Sequence, residues 1–293
     1  MNDEILFILN PISGVHKNLR RKIRSEIVKQ LRKKKISGEI KYSKYSGHAS
    51  VLAKEAVLDG YKYVVVSGGD GSINEVAKEL INTDVALGII PSGSGNGLAH
   101  SLGIPFDVKS ALTMIQKKNT KIMDTLNVNG RVVVSIAGIG FDANVAHSYS
   151  LTSQRGFLAY FKSMISEYLS FKPEKIKILY ENHNLEAEIF SIVFANSNQF
   201  GYKFKIAPHA SCFDALMDVT TIKPFPIVAA PFSSVRVFLG HADKSVFIDS
   251  FQCNEITVIR ENPGIVNIDG DCVEMGQEIN VKVVEKSLKV MLR

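Results

Sequence analysis

Residues 63–76 read Tyr63-Val64-Val65-Val66-Ser67-Gly68-Gly69-Asp70-Gly71-Ser72-Ile73-Asn74-Glu75-Val76. An apolar run typical of a buried strand leads into a glycine turn, and a helix-like stretch follows as far as Ile81. Glycines let the backbone approach an anion, and amides at a helix start point towards it, so this order favours phosphate binding. A hairpin turn at Asp70-Gly71 is the alternative, because Asp-Gly is also a strong hairpin signal.

Strand-like and helix-like stretches alternate over residues 1–120. The predicted strand at residues 86–90 runs into a second glycine-rich turn, Pro91-Ser92-Gly93-Ser94-Gly95-Asn96-Gly97. Such alternation predicts a parallel, doubly wound α/β sheet. Because binding loops gather at the carboxyl ends of its strands, we expect the two glycine turns to face one crevice.

The pattern changes near residues 121–124, after which strands predominate. Predicted strands cover residues 131–137, 175–181, 186–195, 217–222, 245–248, 255–260 and 279–284, and predicted helices cover 157–169 and 226–239. Period-two alternation in Ile176, Ile178 and Tyr180 favours an antiparallel sheet. We therefore predict an α/β domain over residues 1–124 and a β-sandwich domain over 125–293. A return of the last residues to the first domain is left open.

The composition restricts location and partners. Apolar residues form 45% of the 293 residues and the net charge is +6, which permits a large core and favours anionic partners. Cys212, Cys253 and Cys272 lack metal-ligand spacing and fit a reducing compartment. The acidic start does not resemble a signal peptide, and no apolar run approaches the roughly 18 residues of a membrane span. We expect a cytoplasmic protein with peripheral membrane contact, and a homodimer is left open.

Residues 19–35 combine an apolar stripe with a dense set of cations, namely Arg20, Arg21, Lys22, Arg24, Lys29, Arg32, Lys33, Lys34 and Lys35. A solvated helix face explains this pattern, and contact with acidic lipid is the sharper alternative. Nucleic acid is not an expected partner, because no aromatic stacking pattern accompanies the cations.

Six short motifs occur in a fixed order along the chain: Asn10-Pro11-Ile12-Ser13-Gly14, Gly68-Gly69-Asp70-Gly71-Ser72-Ile73-Asn74-Glu75-Val76, Gly93-Ser94-Gly95-Asn96, Leu102-Gly103-Ile104-Pro105, Ala137-Gly138-Ile139-Gly140-Phe141-Asp142-Ala143 and Ile268-Asp269-Gly270-Asp271. Together they resemble the diacylglycerol kinase catalytic family, soluble lipid kinases that include sphingosine and ceramide kinases. The resemblance covers nearly the whole chain. It implies an α/β nucleotide-binding domain, a β-sandwich domain and an interdomain cleft where ATP meets a lipid hydroxyl.

The resemblance also implies roles for individual residues. Nucleotide and phosphate contacts fall on Gly68, Gly69, Asp70, Gly71, Ser72, Ile73, Asn74 and Ser94, with Asn10, Ser43 and Asn96 beside them. Asp70 would organise catalytic Mg²⁺, and Asp271 would remove the proton of the lipid hydroxyl. Ser43 has the alternative of a plain strand-end residue, and Asn96 that of a helix cap. Asp142 is expected to hold a loop together rather than to react.

A separate, structural Mg²⁺ is implied near residues 211–216. Its ligands would be Asp214, Ser211 and the carbonyl oxygen of Leu216, and Asp124 matches a family aspartate at the domain junction. Ala215 departs from the family pattern, which has glycine there. A turn stabilised by Asp214, or one capped by Asp124, is the alternative.

Other departures affect the substrate and the chemistry. Asp271 stands where the family usually has glutamate, which shortens its reach by one methylene, and Glu274 is the nearby fallback base. Gly97 replaces an aspartate of bacterial diacylglycerol kinases, so the loop is closer to that of sphingosine kinases. Val15 replaces a lysine of some relatives, with Lys17 nearby. The expected substrate is therefore a membrane lipid of diacylglycerol or sphingoid type.

Two other functions compete with lipid phosphorylation. NAD kinases and 6-phosphofructokinases share a Gly-Gly-Asp-Gly turn, so a small-molecule kinase is one alternative. A non-catalytic protein of the same fold that binds lipid or nucleotide is the other, since aspartate has replaced the usual glutamate at Asp271.

Overall fold

The computed structural model describes residues 2–11, 17–33, 35–152, 157–201 and 204–293. The chain divides into two compact units: Met1–Met123 with Lys286–Arg293, and Asp124–Glu285. It passes from the first unit to the second within one strand and returns within another. The part of the first motif at residues 12–14 lies outside the described residues.

The first unit contains the elements β1 (Asn2–Leu9), α1 (Lys17–Arg32), β2 (Gly38–Tyr42), α2 (His48–Leu58), β3 (Tyr61–Gly68), α3 (Asp70–Leu80), β4 (Ala86–Pro91), α4 (Gly97–Ser101), α5 (Val108–Gln116) and the start of β5 (Thr120–Val128). Its strands run parallel in the order β2-β1-β3-β4. The end of β16 (Glu278–Met291) joins β4 in parallel, where Val290 pairs with Leu87.

Helices cover both faces of this parallel sheet. Val64, Val65 and Val66 of β3 are all fully buried, although consecutive strand side chains point to opposite faces. Continuous apolar strands of this kind are typical of sheets sandwiched between helices. Here α2 packs against α3, and α1 packs against α5. The predicted doubly wound α/β fold is confirmed.

The second unit contains β6 (Arg131–Val133), β7 (Ile136–Gly140), α6 (Phe141–Leu151), α7 (Phe157–Ser170), β8 (Glu174–Tyr180), β9 (His183–Ile189), β10 (Ser191–Ala195), β11 (Met217–Ile222), α8 (Ala230–Phe238), β12 (Ile248–Cys253), β13 (Glu255–Arg260), β14 (Gly264–Ile268) and β15 (Asp271–Met275). One antiparallel sheet has the order β12-β11-β10-β7-β14-β15. In the other, the start of β16 pairs antiparallel with β13, followed by β8 and β9, and β5 joins β16 and β6.

The two antiparallel sheets enclose one apolar core. Side chains from both sheets belong to a single buried cluster, which includes Ile139, Ile178, Phe194, Val258, Val266 and Val281. Each of these side chains is at most 2% exposed. The predicted β-sandwich-like architecture of the second half is confirmed.

Three local predictions need correction or refinement. The single strand predicted over residues 186–195 is wrong, because the chain changes sheets at Phe190, between β9 and β10. The strand predicted at 245–248 is also wrong, since a 3₁₀ turn occupies Ala242–Lys244 and β12 begins only at Ile248. The helix predicted at 226–239 is present as a 3₁₀ turn, Ile227–Ala229, followed by α8. Its Pro231 lies in the first turn, where no amide is needed.

Candidate active site

The loops that follow the parallel strands of the first unit are joined by backbone hydrogen bonds. The Ser43 amide, after β2, donates to Leu9 O at 3.0 Å, and the Asn10 amide, after β1, donates to Ser67 O at 3.0 Å. The Ser92 amide, after β4, donates to Gly68 O at 3.0 Å. The candidate nucleotide residues from four strands therefore share one edge of the sheet, where parallel α/β folds place their ligand sites.

The two glycine turns touch through their backbones. A Cβ atom added to Gly93 would lie 2.3 Å from the Cα atom of Gly69, and one added to Gly69 would lie 3.2 Å from Gly93 Cα. A Cβ atom on Gly68 would lie 2.4 Å from the Cβ atom of Ser72. Packing therefore requires glycine at Gly68 and Gly93, where a Cβ atom would lie closer than 3.0 Å to a neighbour, whereas Gly69 is only tightly packed.

Helix α3 begins directly at the first glycine turn. Its first bond joins the Ile73 amide to Gly69 O at 3.0 Å, and no side chain caps Gly69. The amides of Gly71 and Ser72 precede that bond, so they have no carbonyl partner within the helix. Asp70 lies in this first turn. The alternative of a hairpin at Asp70-Gly71 is wrong.

The residues predicted to contact nucleotide differ in which of their polar groups are accessible. The Ile73 side chain is fully buried, and its amide already bonds within the helix, so it contributes packing. The Ser72 hydroxyl accepts a hydrogen bond from Asn10 Nδ2 at 2.8 Å, which links the loop after β1 to the helix start. Asn74 and Ser94 are both half-buried, on α3 and in the second glycine turn respectively.

Asn96 fastens the second glycine turn. Its side chain accepts a hydrogen bond from the Gly93 amide at 3.0 Å and donates through Nδ2 to Gly93 O at 2.7 Å. The residue is 3% exposed and occupies the N-cap position of α4, but its side chain makes no capping bond. Asn96 therefore positions the turn and is not a helix cap in the usual sense.

Glu75 has a role that the sequence did not reveal. Its carboxylate accepts hydrogen bonds from the Gly47 amide at 2.9 Å and the Ala49 amide at 3.2 Å, at the start of α2. Gly47 is the N-cap of α2, with a φ of 84°. Because glycine has no side chain, it cannot cap the helix itself. Glu75 thus joins α3 to the loop that carries Ser43. The only sequence feature that could have indicated a role for Glu75 is its position within the first glycine motif.

In the second unit, Asp271 is the first residue of β15 and is exposed. The two residues before it, Asp269 and Gly270, have φ values of 50° and 94° and connect β14 to β15. Positive φ at both central residues is the signature of the two-residue type I′ hairpin turn. The candidate base therefore projects from the end of a tight hairpin.

Asp269 holds this hairpin in place. Its carboxylate accepts hydrogen bonds from the amides of Val134, Ser135 and Ile136 at 2.8, 2.8 and 2.9 Å. The Asp269 amide donates back to Ile136 O at 2.9 Å. These four bonds fix the residue two positions before Asp271 against the start of β7. In the sequence, Asp269 is recognisable only as part of the motif Ile268-Asp269-Gly270-Asp271, and its hydrogen bonds could not be predicted.

Asp142 is linked to the same hairpin. One carboxylate oxygen accepts a hydrogen bond from the Ser191 hydroxyl at 2.6 Å, and the other lies 3.5 Å from Asn267 Nδ2. The Asn267 side-chain oxygen in turn accepts from the Gly270 amide at 2.9 Å. Burial raises the pKa of Asp142 to about 6. These contacts agree with the expectation that Asp142 holds a loop together.

The candidate structural metal loop meets Asp124. The Asp124 carboxylate accepts a hydrogen bond from the Ala215 amide at 2.9 Å, and its own amide donates to Cys212 O at 2.8 Å. Asp214 Oδ1 accepts from the Leu216 amide at 3.2 Å, and Ser211 Oγ accepts from the amide two residues later at 3.3 Å. The structure therefore brings together Asp124 and the 211–216 loop, which are far apart in the sequence.

The carboxylates of Asp124 and Asp214 act electrostatically on the Cys212 thiol of this loop. The pKa of the Cys212 thiol is raised to about 12, first by burial and then by the carboxylates of Asp124, Asp214 and Asp269. Within the described ranges, no three His, Cys, Asp or Glu side chains are grouped to hold one ion. A cation here would therefore need hydroxyl and carbonyl oxygens as well, which Mg²⁺ accepts. Asp70, the residue predicted to organise the catalytic Mg²⁺, belongs to the first unit, whereas Asp124 and this loop belong to the second.

Comparison with known proteins gives consistent results over almost the whole chain. A model of the diacylglycerol kinase catalytic domain matches residues 4–128, and one of the YegS C-terminal NAD kinase beta sandwich-like domain matches residues 135–292. No helix among the described residues is long and apolar enough to cross a bilayer.

Full-length relatives support the same assignment. Diacylglycerol kinase of Bacillus subtilis (strain 168) is 26% identical over 90% of this chain and 88% of its own. A probable lipid kinase YegS-like protein of Enterobacter sp. (strain 638) is 26% identical over 99% and 96%. A diacylglycerol kinase crystal structure from Bacillus anthracis str. Sterne shares the fold, with a TM-score of 0.76 at 19% identity over 99% and 97% of the two chains. This chain therefore belongs to the diacylglycerol kinase catalytic-domain family whose members carry a YegS-type C-terminal domain.

Proposed function

We propose that this protein transfers the terminal phosphoryl group of ATP to the hydroxyl group of a membrane lipid. The contact between Gly69 and Gly93, beside the uncapped start of α3, is the observation that carries the proposal. Side-chain-free backbone, helix amides and the positive end of the helix dipole together suit the phosphates of a nucleotide. Family membership supports the choice of a lipid as the acceptor.

Asp70 is the residue we assign to the Mg²⁺ that accompanies ATP. It lies in the first turn of α3, beside the amides proposed to meet phosphate. Carboxylate and phosphate oxygens are the ligands that Mg²⁺ prefers. When bound, Mg²⁺ neutralises negative charge on the phosphates. Asp124, Asp214, Ser211 and the Leu216 carbonyl are proposed to hold a second, structural ion.

Asp271 is the proposed base. The lipid oxygen forms a bond to the terminal phosphorus while its proton passes to the Asp271 carboxylate. The bond between that phosphorus and the bridging oxygen breaks, and ADP leaves. Phosphoryl transfer depends mainly on positioning and electrostatics, so the four bonds that fix Asp269 are relevant to the rate.

The decisive experiment measures transfer of labelled phosphate from ATP into an organic-extractable product, with and without Mg²⁺. The acceptors are diacylglycerol, monoacylglycerol, a sphingoid base, ceramide and phosphatidylglycerol. Asp70→Asn and Asp271→Asn should each lower turnover by about 100-fold or more. Asp59→Asn, at an exposed position after α2, is the matched control. Full activity in either site variant would remove the role assigned to that residue.

A second variant separates the two candidate bases. Glu274 is exposed on β15, three residues from Asp271, and pairs with Ile265 across the hairpin. If Asp271 is the base, Glu274→Gln should retain most activity while Asp271→Asn loses it. The reverse pattern would transfer the role to Glu274.

A non-catalytic function is the second candidate, favoured by one observation. Aspartate at position 271 replaces the usual glutamate, and the hydrogen bonds of Asp269 hold the hairpin in place. A carboxylate that is shorter by one methylene then has little freedom to regain its reach. Saturable ATP binding without phosphorylation of any lipid in the panel would favour this candidate over the kinase.

We also propose contact between α1 and an anionic membrane surface. The apolar side chains Ile23 and Ile27 of α1 are buried, whereas Arg21, Arg24 and Arg32 are exposed. Juxtamembrane cations of this kind contribute roughly 1 kcal/mol each near an acidic bilayer at low salt. Arg21→Glu/Arg24→Glu should weaken binding to phosphatidylglycerol vesicles at low salt more than at high salt. Equal binding to neutral and acidic vesicles would contradict this contact.

A further inference from the structure

Helix α8 and the turn before it present a stripe of large apolar side chains to solvent. Val228, Phe232, Val235 and Leu239 are spaced four, three and four residues apart, which places them along one side of a helix. Their side chains are 74%, 76%, 56% and 63% exposed. Val237 faces the opposite way and is 3% exposed, within the core of the second unit.

This arrangement reverses the usual pattern of a surface helix. Such a helix normally buries its apolar stripe and turns its polar residues outward. Two side chains next to the stripe in sequence, Ile227 and Phe238, are also 49% and 55% exposed and widen the outward apolar surface. Contiguous exposed apolar surface of this kind marks an interaction site.

The charge of the segment indicates which partner fits. Residues 219–246 include three cations, Lys223, Arg236 and Lys244, and one acidic residue, Asp243, which gives a net charge of +2. Lys223 pairs with Asp249 at 2.7 Å, whereas Arg236 and Lys244 are exposed. Arg236 is exposed and donates through Nη1 to Lys244 O at 2.8 Å, at the end of the apolar stripe. A bilayer offers acidic headgroups above an apolar interior, which complements an apolar stripe bordered by cations. A symmetric contact with a second copy would instead bring like charges together.

The segment is also held on a firm base. The Tyr168 hydroxyl of α7 donates a hydrogen bond to Phe225 O, two residues before the 3₁₀ turn. The Phe225 ring packs against Phe190 and Phe247, with ring centroids 5.0 and 5.8 Å apart. A surface anchored in this way loses little conformational freedom when it docks.

We propose that the apolar face of α8 inserts into the interfacial layer of an anionic bilayer and docks the second unit on the membrane. Its significance rests on the proposed lipid-kinase function, since a lipid acceptor resides in that membrane. The insertion itself is measured without any phosphorylation assay.

The absence of tryptophan from the chain allows a direct test. Phe232→Trp places a single fluorescent reporter on the stripe, and Leu58→Trp places one at a 79% exposed position on α2 as a control. With phosphatidylglycerol vesicles, the indole emission of the Phe232→Trp protein should shift to shorter wavelength and be quenched by brominated acyl chains. The control reporter should show neither effect. Equal responses from the two reporters, or none from the first, would overturn the proposal.

A loss-of-contact variant gives an independent measurement. Phe232→Ser/Val235→Ser should lower the partition coefficient onto phosphatidylglycerol vesicles by about tenfold, with an unchanged melting temperature. Val51→Ser/Leu58→Ser, at exposed positions on α2, is the matched control and should bind like the wild type. If the α8 variant binds vesicles normally but converts a dimer to a monomer in light scattering, the stripe serves a second copy and the proposal fails.

The phosphorylation assay separates this proposal from the proposed function. If lipid is phosphorylated but the α8 variant binds vesicles like the wild type, only the docking proposal falls. If no lipid is phosphorylated but vesicle binding drops in the α8 variant, docking stands and the kinase assignment falls. If both hold, the variant should keep its rate on a short-chain lipid below its critical micelle concentration and lose rate on vesicles.

Discussion

Replacing Gly93 with alanine tests the contact on which the proposed nucleotide site depends. The added Cβ atom would lie 2.3 Å from Gly69 Cα and 3.0 Å from Asn96 Oδ1. Carbon atoms normally approach no closer than about 3.5 Å, so the two turns must separate by roughly 1 Å. The hydrogen bond from the Gly93 amide to Gly68 O, at 3.1 Å, would be lost or stretched.

Two magnitudes follow from this displacement. Overpacking of this kind costs about 1–3 kcal/mol of unfolding free energy. A shift of roughly 1 Å in a site that positions reacting groups lowers the rate by about 100-fold. The Gly93→Ala protein should therefore unfold at lower temperature, bind ATP more weakly and transfer phosphate far more slowly.

The measurements are thermal unfolding and calorimetric ATP titration of purified variants. Gly69→Ala should be milder, because its Cβ atom would lie 3.2 Å from Gly93 Cα. Gly276→Ala is the control, since its Cβ atom would meet no atom within 4 Å. If Gly93→Ala matches the wild type in both melting temperature and ATP affinity, the two turns do not form one rigid site.

Three further predictions concern the second unit. Ala215 has a φ of 63°, which is strained for alanine, so Ala215→Gly should raise the unfolding free energy by about 0.5–1 kcal/mol in urea titrations; a lower value would refute the strain. Asp269→Asn should cost about 2–4 kcal/mol because an amide cannot accept all three backbone bonds, whereas exposed Asp59→Asn should stay within about 0.5 kcal/mol. Because burial raises the pKa of Asp142 from 3.8 to about 6, its ionisation opposes folding as pH rises through that range. The stability of Asp142→Asn relative to the wild type should therefore increase by about 2–3 kcal/mol between pH 4 and pH 7, and a constant difference would contradict the shift.

The parallel sheet and the position of the glycine turns could be predicted because their signals are local. Fully apolar runs such as Val64–Val66 need cover on both faces, and with strands and helices alternating along the chain, helices on both sides provide it. Once the strands are parallel, their carboxyl ends share an edge, and both turns must lie there. No knowledge of distant contacts was required.

The exchange of sheets at Phe190 could not be predicted, because apolar residues continue through it. The Phe190 amide donates to Ile222 O at 2.7 Å, and its carbonyl accepts from the Phe141 amide at 2.9 Å. Both partners are distant in sequence, and the alternation on either side looks like one strand. Only tertiary pairing determines where β9 ends and β10 begins.

The dipeptide Asp-Gly shows how context decides between two structures. At Asp70-Gly71 a buried helical stripe follows, including Ile73 and Val76, and the pair starts α3. At Asp269-Gly270 a short strand lies on each side, and the pair forms a hairpin turn with positive φ at both residues. The periodicity of the following residues distinguishes the two cases.

The two candidate carboxylates share a local design that sequence motifs do not convey. Asp70 follows a glycine turn whose backbone is fixed by a neighbouring turn, and Asp271 follows a hairpin turn fixed by three amides at residues 134–136, where the chain enters β7. Neither turn can shift without breaking several buried hydrogen bonds. Such rigidity matters most for a reaction that relies on positioning, because it limits the conformational freedom that must be lost before the transition state. The residues that fix Asp70 and Asp271 are therefore expected to affect rate nearly as much as the carboxylates themselves.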